Sequence, residues 1–475
     1  MEWLAGQVED PALAVRLRAL AGQALGVVPA ADRYQSGVGH VRYPVAPLVY
    51  GGVAESAEAA ARVGRAHLGR FVGDGTLRYA PAPGGPNYAR THWTNEANGL
   101  TAPVVVTVLE AGLFAGDRWL IDAGLRHLRA LRKFDGTVPR GAQTWEIPLH
   151  TPDILASAHL VRAYTLGYEI TGEVEFLEAA RYWAWTGIPF VYLRAPVAGP
   201  VGVYATTPVL GATQWVAPNW IGLPVQWCGL VYGDALYRLA RHDPEGPWLR
   251  VADGIAASGM QQSYPIDDAR YSGLLPDSFS LRPQQRNPAN INPATVFVNA
   301  TRLLGRGPMY DLRHFRHHAV TVHGAGEIAV LREDKDGFAF RVRAWPTAPH
   351  RVLLTGLFPV PGLRIDGVET PIAAPHRHTP DDGRLVLELN GSPEVEIRLP
   401  ARTALRIERR PEGARLSWPV LASSLELEVV VPAFPEAGLP WSPVAAVPRV
   451  AGDRWTVEVP TREGAGFYRL RRPGG

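Results

Sequence analysis

The ten residues Thr144-Trp145-Glu146-Ile147-Pro148-Leu149-His150-Thr151-Pro152-Asp153 place an indole, two carboxyls and an imidazole immediately before a long helical pattern. In such a set one carboxylic acid can protonate a leaving oxygen, a second carboxylate can activate water, and an indole face can hold a sugar ring. The segment Thr91-His92-Trp93-Thr94-Asn95-Glu96-Ala97-Asn98-Gly99 repeats the recipe ahead of an apolar helix. Glu146, Glu96, Asp153 and His150 are therefore catalytic candidates, with Trp145, Trp93, His92 and Asn95 as substrate contacts. Structural alternatives stand beside these roles. Glu146 could pair with Arg140, and Asp153 or Asn95 could cap the helix that follows by accepting its free N–H groups.

A third cluster, Tyr264-Pro265-Ile266-Asp267-Asp268, sets two carboxyls side by side, which would drive their ionisations apart. Its alternative is a solvated turn with Arg270. Asp277, after Leu274-Leu275-Pro276, is the better single carboxyl there and completes the catalytic set. Tyr264 and Asp267 join Tyr204, Trp215, Trp220 and Trp227 as candidate ligand contacts, since loop aromatics can stack on sugar faces. Trp183 and Trp185 fall inside a helical pattern and are expected in the core. His314, His317 and His318 are interleaved with Arg313 and Arg316, whose charge opposes a bound cation, so no metal site is assigned. Cys228 is the sole cysteine, which excludes an intrachain disulfide and a multi-cysteine zinc site. Its apolar neighbours fit a buried thiol. No P-loop, dinucleotide or Ser-His-Asp pattern is present, and no cofactor is expected.

Helical periodicity over the first 315 residues predicts helices at 11–25, 54–71, 99–114, 118–134, 153–171, 174–187, 220–241, 247–258 and 292–304. Gly116-Asp117, Gly172 and Asp243-Pro244 break them into hairpins. Serial hairpins point to an (α/α) toroid that gathers the loops 84–98, 136–151, 195–219 and 262–292 around a cleft. From Ala319 onward strand alternation takes over, with turn signals at Asp336-Gly337 and Asn390-Gly391. The expected organisation is multidomain α+β: a toroid over 1–315, a small antiparallel β-sandwich over 319–402 and a second β module over 403–475.

A chain of 475 residues exceeds one ordinary core, and 46% hydrophobic with 20% charged residues describes a folded globular protein. A net charge of +3 without a Lys/Arg run argues against a nucleic-acid partner. No stretch is expected to span a membrane, and Met1-Glu2-Trp3-Leu4 lacks the basic start and apolar run of a signal peptide.

An (α/α) toroid followed by a β-sandwich resembles the six-hairpin glycosidases and the toroidal polysaccharide lyases. In the tail, Leu416-Ser417-Trp418-Pro419, Trp441-Ser442-Pro443-Val444 and Phe467-Tyr468-Arg469-Leu470 resemble a C-terminal module of secreted bacterial polysaccharide-degrading proteins. The resemblance implies a secreted or cell-surface glycoside hydrolase acting on a polysaccharide or oligosaccharide. Glu146 would be its general acid, Glu96 or Asp277 its base, and inversion its outcome. The same scaffold admits a lyase, in which His150, His92 or Tyr204 takes the proton beside a uronate that Asn95 or Arg90 neutralises. It also admits a glycan-binding protein without turnover.

Overall fold

Helix hairpins build the first part of the chain. In chain order the helices are α1 (Glu2–Ala5), α2 (Pro11–Gly26), α3 (Val45–Tyr50), α4 (Val53–Leu68), α5 (Asn98–Ala115), α6 (Arg118–Ala130), α7 (Ile154–Thr171), α8 (Val174–Gly187), α9 (Gln226–Leu239), α10 (Trp248–Gln262) and α11 (Ala294–Leu303). The computed structural model describes residues 1–37, 39–85, 87, 94–145, 147–210, 222–399, 405–419, 426–430, 442–444, 446–451, 454–460 and 467–471. They form two units, Met1–Ile397 and Arg398–Gly475.

Helix α5 packs against α4, α6 and α7; α7 packs against α8 and α9; α9 packs against α10 and α11. Helices α5, α7 and α9 thus form the inner layer of an (α/α) toroid, with α6, α8 and α10 outside. The local signals are physical. Asp117 accepts the Leu120 N–H at 3.2 Å to start α6, and Gly116 (φ 73°) and Gly172 (φ 77°) end α5 and α7 in the left-handed region. Helix α5 is apolar on every side, the mark of a helix surrounded by protein. Contrary to the sequence expectation, its length and composition would suffice to cross a membrane; here 78% of it is buried inside the protein.

Strands β1 (Leu275–Ser280) and β2 (Gln285–Ile291) pair antiparallel within the segment 262–292 expected as a long cleft loop. Pro276 in one strand and Pro288 in the other hide the alternation that would reveal them. The sandwich begins at Asp311, eight residues before the expected start at Ala319. Its first strand carries inward Asp311, whose carboxylate takes a 2.7 Å bond from Arg241, so apolar alternation is missing there.

The sandwich strands are β3 (Asp311–Phe315), β4 (Val320–Gly324), β5 (Gly326–Asp334), β6 (Gly337–Ala344), β7 (His350–Thr355), β8 (Gly362–Ile365), β9 (Val368–Glu369), β10 (Arg377–Thr379), β11 (Arg384–Leu389) and β12 (Glu394–Arg398). One sheet has the order β10-β11-β7-β4-β3 and the other β5-β6-β12-β8-β9. The first sheet closes the C-terminal end of α5. Thr355 donates to the Leu113 carbonyl at 2.7 Å, His323 approaches the same oxygen at 3.1 Å, and Arg384 donates to the Ala115 carbonyl at 2.9 Å. Carbonyls that a helix end leaves unpaired are thereby satisfied. The second unit has its own small core around Leu416, Trp418, Leu427, Val457 and Val459.

Candidate functional site

With the C-terminal end of α5 covered by the sheet, the N-terminal ends of the inner helices carry the long loops. Asn98, the first residue of α5, donates to the Val138 carbonyl at 2.9 Å and accepts the Arg140 N–H at 2.9 Å. Asp153 caps α7 by accepting the Ala156 N–H at 2.8 Å, and it also accepts the Ala142 N–H at 3.0 Å. Complete burial pushes the Asp153 carboxyl up to about 6, although N–H donors from Ala156 and Ala142 resist the shift. Arg140 donates through Nε to His150 Nδ1 at 2.9 Å, and His150 Nε2 lies 3.2 Å from the Thr94 carbonyl.

Behind this rim a cavity of about 320 Å³ runs along the toroid axis. Pro103, Thr107 and Glu110 of α5 form one wall, and His159 and Arg162 of α7 form another. Tyr34, His40, Arg42 and Tyr43 come from the segment before α3, and Tyr310 and Leu312 come from the approach to the sandwich. Exposed His40 and Arg42 mark the opening.

Deeper in, charges are paired. Arg162 Nε donates to Glu110 at 2.8 Å and lies over the Tyr43 ring at 5.4 Å. Tyr43 donates its hydroxyl to Asp234 at 2.6 Å, and Arg302 approaches the same carboxylate at 3.9 Å. Burial opposes the charge of Arg162, but Glu110, Tyr43 and Asp234 outweigh it and hold its pKa above the ordinary value. Burial, and then Arg162, push His159 down to about 4, so its imidazole is neutral at pH 7.

At the opening, the His40 ring stacks on the Trp227 indole with centroids 4.1 Å apart. Asp277, from β1, has a half-buried carboxyl near the Trp227 indole, whose N–H forms no regular hydrogen bond; burial raises the Asp277 pKa, and the indole partly offsets that. The neutral His159 imidazole, the paired Glu110 and Arg162 and the His40 ring thus line one polar cavity, while Asp277 and Trp227 stand outside its lining. Such a site can bind a polyhydroxylated ligand and transfer a proton to it.

The other residues singled out from sequence are dispersed. Glu96 is held by Lys133 at 2.7 Å and Arg78 at 2.9 Å, away from the cavity lining. Asn95 does not cap α5; the N-cap is Ala97, without a side-chain bond. Arg140 bonds His150 through Nε, and its alternative pairing with Glu146 lies outside the described residues. Asp153 is 0% exposed and serves as the cap of α7.

Asp267 is exposed in a turn closed by Asp268, which accepts the Arg270 N–H at 2.9 Å and the Tyr271 N–H at 2.6 Å. Tyr264 sits between Tyr271 and Arg286. Tyr204 lies against Gly254 of the outer helix α10. Trp145 is exposed on the rim, Trp183 is buried as expected, and Trp185 is exposed against expectation. Cys228 is buried. His314 bonds Thr321, and His318 bonds the Asp334 carbonyl. Glu146, His92, Trp93, Trp215, Trp220 and Arg90 lie outside the described residues.

Sequence reading missed Glu110, His159, Arg162 and Asp234. The available signal was a charged residue on the buried stripe of each inner helix, which demands a partner.

Comparison with family models and with curated protein sequences gives no match. Among solved structures, the chain is similar to an unsaturated glucuronyl hydrolase from Bacillus sp. GL1, at 14% identity over 53% of this chain and 67% of that one, with a TM-score of 0.34. It is also similar to a GH127 β-L-arabinofuranosidase from Geobacillus stearothermophilus T6, at 10% identity over 96% and 95% of the two chains, with a TM-score of 0.27. A second GH127 β-arabinofuranosidase shares 11% identity over 96% and 91%, with a TM-score of 0.32.

Proposed function

We propose that this protein is a glycoside hydrolase that binds a sugar in the axial cavity and uses Asp277 as its general acid. The observation that carries this reading is the Asp277 carboxyl. Burial favours its protonated form, and it sits at the same indole on which His40 stacks at the cavity opening. A protonated carboxyl there gives its proton to the glycosidic oxygen as the C–O bond breaks. Glu146 is assigned the second carboxyl role, taking a proton from the water that attacks the anomeric carbon. Glu110 and Arg162 hold hydroxyls of the bound ring, and the free face of His40 supports it. Attack opposite the leaving group inverts the anomeric centre, which the first-formed anomer in an NMR time course reports.

The test is a screen against neutral and uronate-containing polysaccharides, read for reducing ends and for ultraviolet absorbance. Reducing ends without absorbance, lost in Asp277→Asn and in Glu146→Gln, support hydrolysis. A second reading draws on Arg42 and neutral His159 in the same cavity. There Arg42 neutralises a uronate carboxylate, His159 takes the adjacent proton and the product absorbs in the ultraviolet. Absorbance lost in His159→Gln would replace the hydrolase reading with this one.

A further inference from the structure

Tyr310 lines the axial cavity from the irregular segment between α11 and β3, and its ring stacks on that of Tyr43 with centroids 5.3 Å apart. Gly305 (φ 70°) and Gly307 (φ 74°) of that segment adopt left-handed backbone, so neither a helix nor a strand fixes the tyrosine. The sandwich holds it instead. Trp345 Nε1 donates to the Met309 carbonyl at 2.8 Å, and the Tyr310 hydroxyl meets Nδ1 of His323, on β4, at 2.7 Å.

The second ring nitrogen of His323 decides which partner donates. His323 Nε2 lies 3.1 Å from the Leu113 carbonyl, and a carbonyl oxygen only accepts, so Nε2 carries the proton. Nδ1 of the neutral ring is then a bare acceptor, and the Tyr310 hydroxyl donates to it. Complete burial pushes the imidazole down to about 3, although the Leu113 carbonyl resists, so the ring is neutral at pH 7. Phe114 packs edge-on against it with centroids 5.2 Å apart. His323 is 0% exposed and does not line the cavity, so it reaches the site only through Tyr310.

We propose that His323 is a positioning residue for the axial cavity: by accepting from Tyr310 it fixes the ring on which Tyr43 stacks, and so the wall that carries Arg162. Arg162 lies over the Tyr43 ring at 5.4 Å and is the cation assigned to the sugar hydroxyls. Without His323 the buried Tyr310 hydroxyl has no acceptor, and the ring must tilt to find one. The inference rests on the reading that this cavity binds the sugar, and it does not depend on Asp277 as the acid.

The test compares His323→Leu, His323→Gln and Tyr310→Phe in the full chain, with cellotetraose, xylotetraose and arabinotriose as substrates. His323→Leu and Tyr310→Phe should each raise KM about three- to tenfold, the effect of one hydrogen bond, with a smaller change in kcat. Combined, they should do no more than either alone, because both remove the same bond. His323→Gln keeps an amide oxygen for Tyr310 and an N–H for Leu113, and should restore the parent KM. If His323→Leu fails to fold by circular dichroism, Tyr310→Phe and His323→Gln carry the comparison. Unchanged KM in Tyr310→Phe, additive effects, or a His323→Gln variant as impaired as Tyr310→Phe overturns the proposal. Should the parent chain cleave none of the three sugars, it is the hydrolase reading that fails, and crystal structures of the parent and Tyr310→Phe decide the positioning role. A ring at position 310 that stays stacked on Tyr43 as in the parent overturns it; a displaced ring supports it.

Discussion

The imidazole of His40 lies on the indole of Trp227, with ring centroids 4.1 Å apart and planes 20° from parallel. His40 precedes the cavity residues Arg42 and Tyr43, and Trp227 is the second residue of α9. The stack therefore fixes an irregular segment against an inner helix at the opening of the cavity. His40 is exposed, so its removal should hurt the site more than the fold. His40→Ala is predicted to raise KM three- to tenfold, consistent with about 1 kcal/mol for an aromatic pair. Thermal unfolding should shift by only a few degrees.

Asp153 couples the cap of α7 to pH. Folding raises its pKa from 3.8 to about 6, so between those values the folded chain keeps a proton that the unfolded chain has released. The stability this group contributes is complete below the lower value and is lost as pH rises through the upper one, at most about 3 kcal/mol. Asp153→Asn retains a capping oxygen but cannot ionise. Thermal melts from pH 4 to pH 7 should show a shallower pH dependence in the variant than in the parent chain.

Gly99 marks where α5 meets the rim loop. A Cβ there would lie 2.5 Å from the Arg140 carbonyl oxygen and 2.6 Å from the Ala142 N. Both are backbone atoms, so no side chain can swing away. Gly99→Ala should cost about 1–3 kcal/mol in chemical denaturation. It should also reduce turnover by displacing the loop that carries His150.

Buried Glu169 accepts from Arg238 Nε at 2.9 Å and contacts His242 at 3.0 Å. Although burial favours the neutral acid, Arg238 and His242 hold the carboxyl well below its usual range. Its contribution is therefore present above the ordinary carboxylate pKa and lost only in strong acid. Glu169→Ala strands a buried guanidinium and should destabilise by about 3–5 kcal/mol. Glu169→Leu combined with Arg238→Met should recover part of that loss in the same denaturant titration.

Much of the fold is legible in the sequence because local signals agree with tertiary demand. Asp117 and Asp153 stand where helix starts need acceptors, and Gly116 and Gly172 stand where left-handed stops are needed. The hairpin of β1 and β2 was not legible, since its prolines and polar residues mask strand alternation. The site was only partly legible. Asp277 and Trp227 stood out as a carboxyl and an indole, but nothing local says that they meet. Glu110, His159, Arg162 and Asp234 sit inside helical patterns, where a charge reads as an interruption until three helices bring their stripes to one axis. Glu96 drew attention through its neighbours in sequence, whereas its partners, Arg78 and Lys133, come from elsewhere in the chain.

The most direct test of Asp277 as the acid is the pH dependence of oligosaccharide hydrolysis in the parent chain and in Asp277→Asn. A general acid must be protonated, so the parent rate should fall as pH rises through the elevated pKa of Asp277. Asp277→Asn should reduce kcat by about 10²–10⁴-fold and abolish that descending limb. An aryl glycoside with a strongly acidic leaving group, which needs no proton, should lose far less. Retention of the parent rate and of the same descending limb in Asp277→Asn would contradict the assignment.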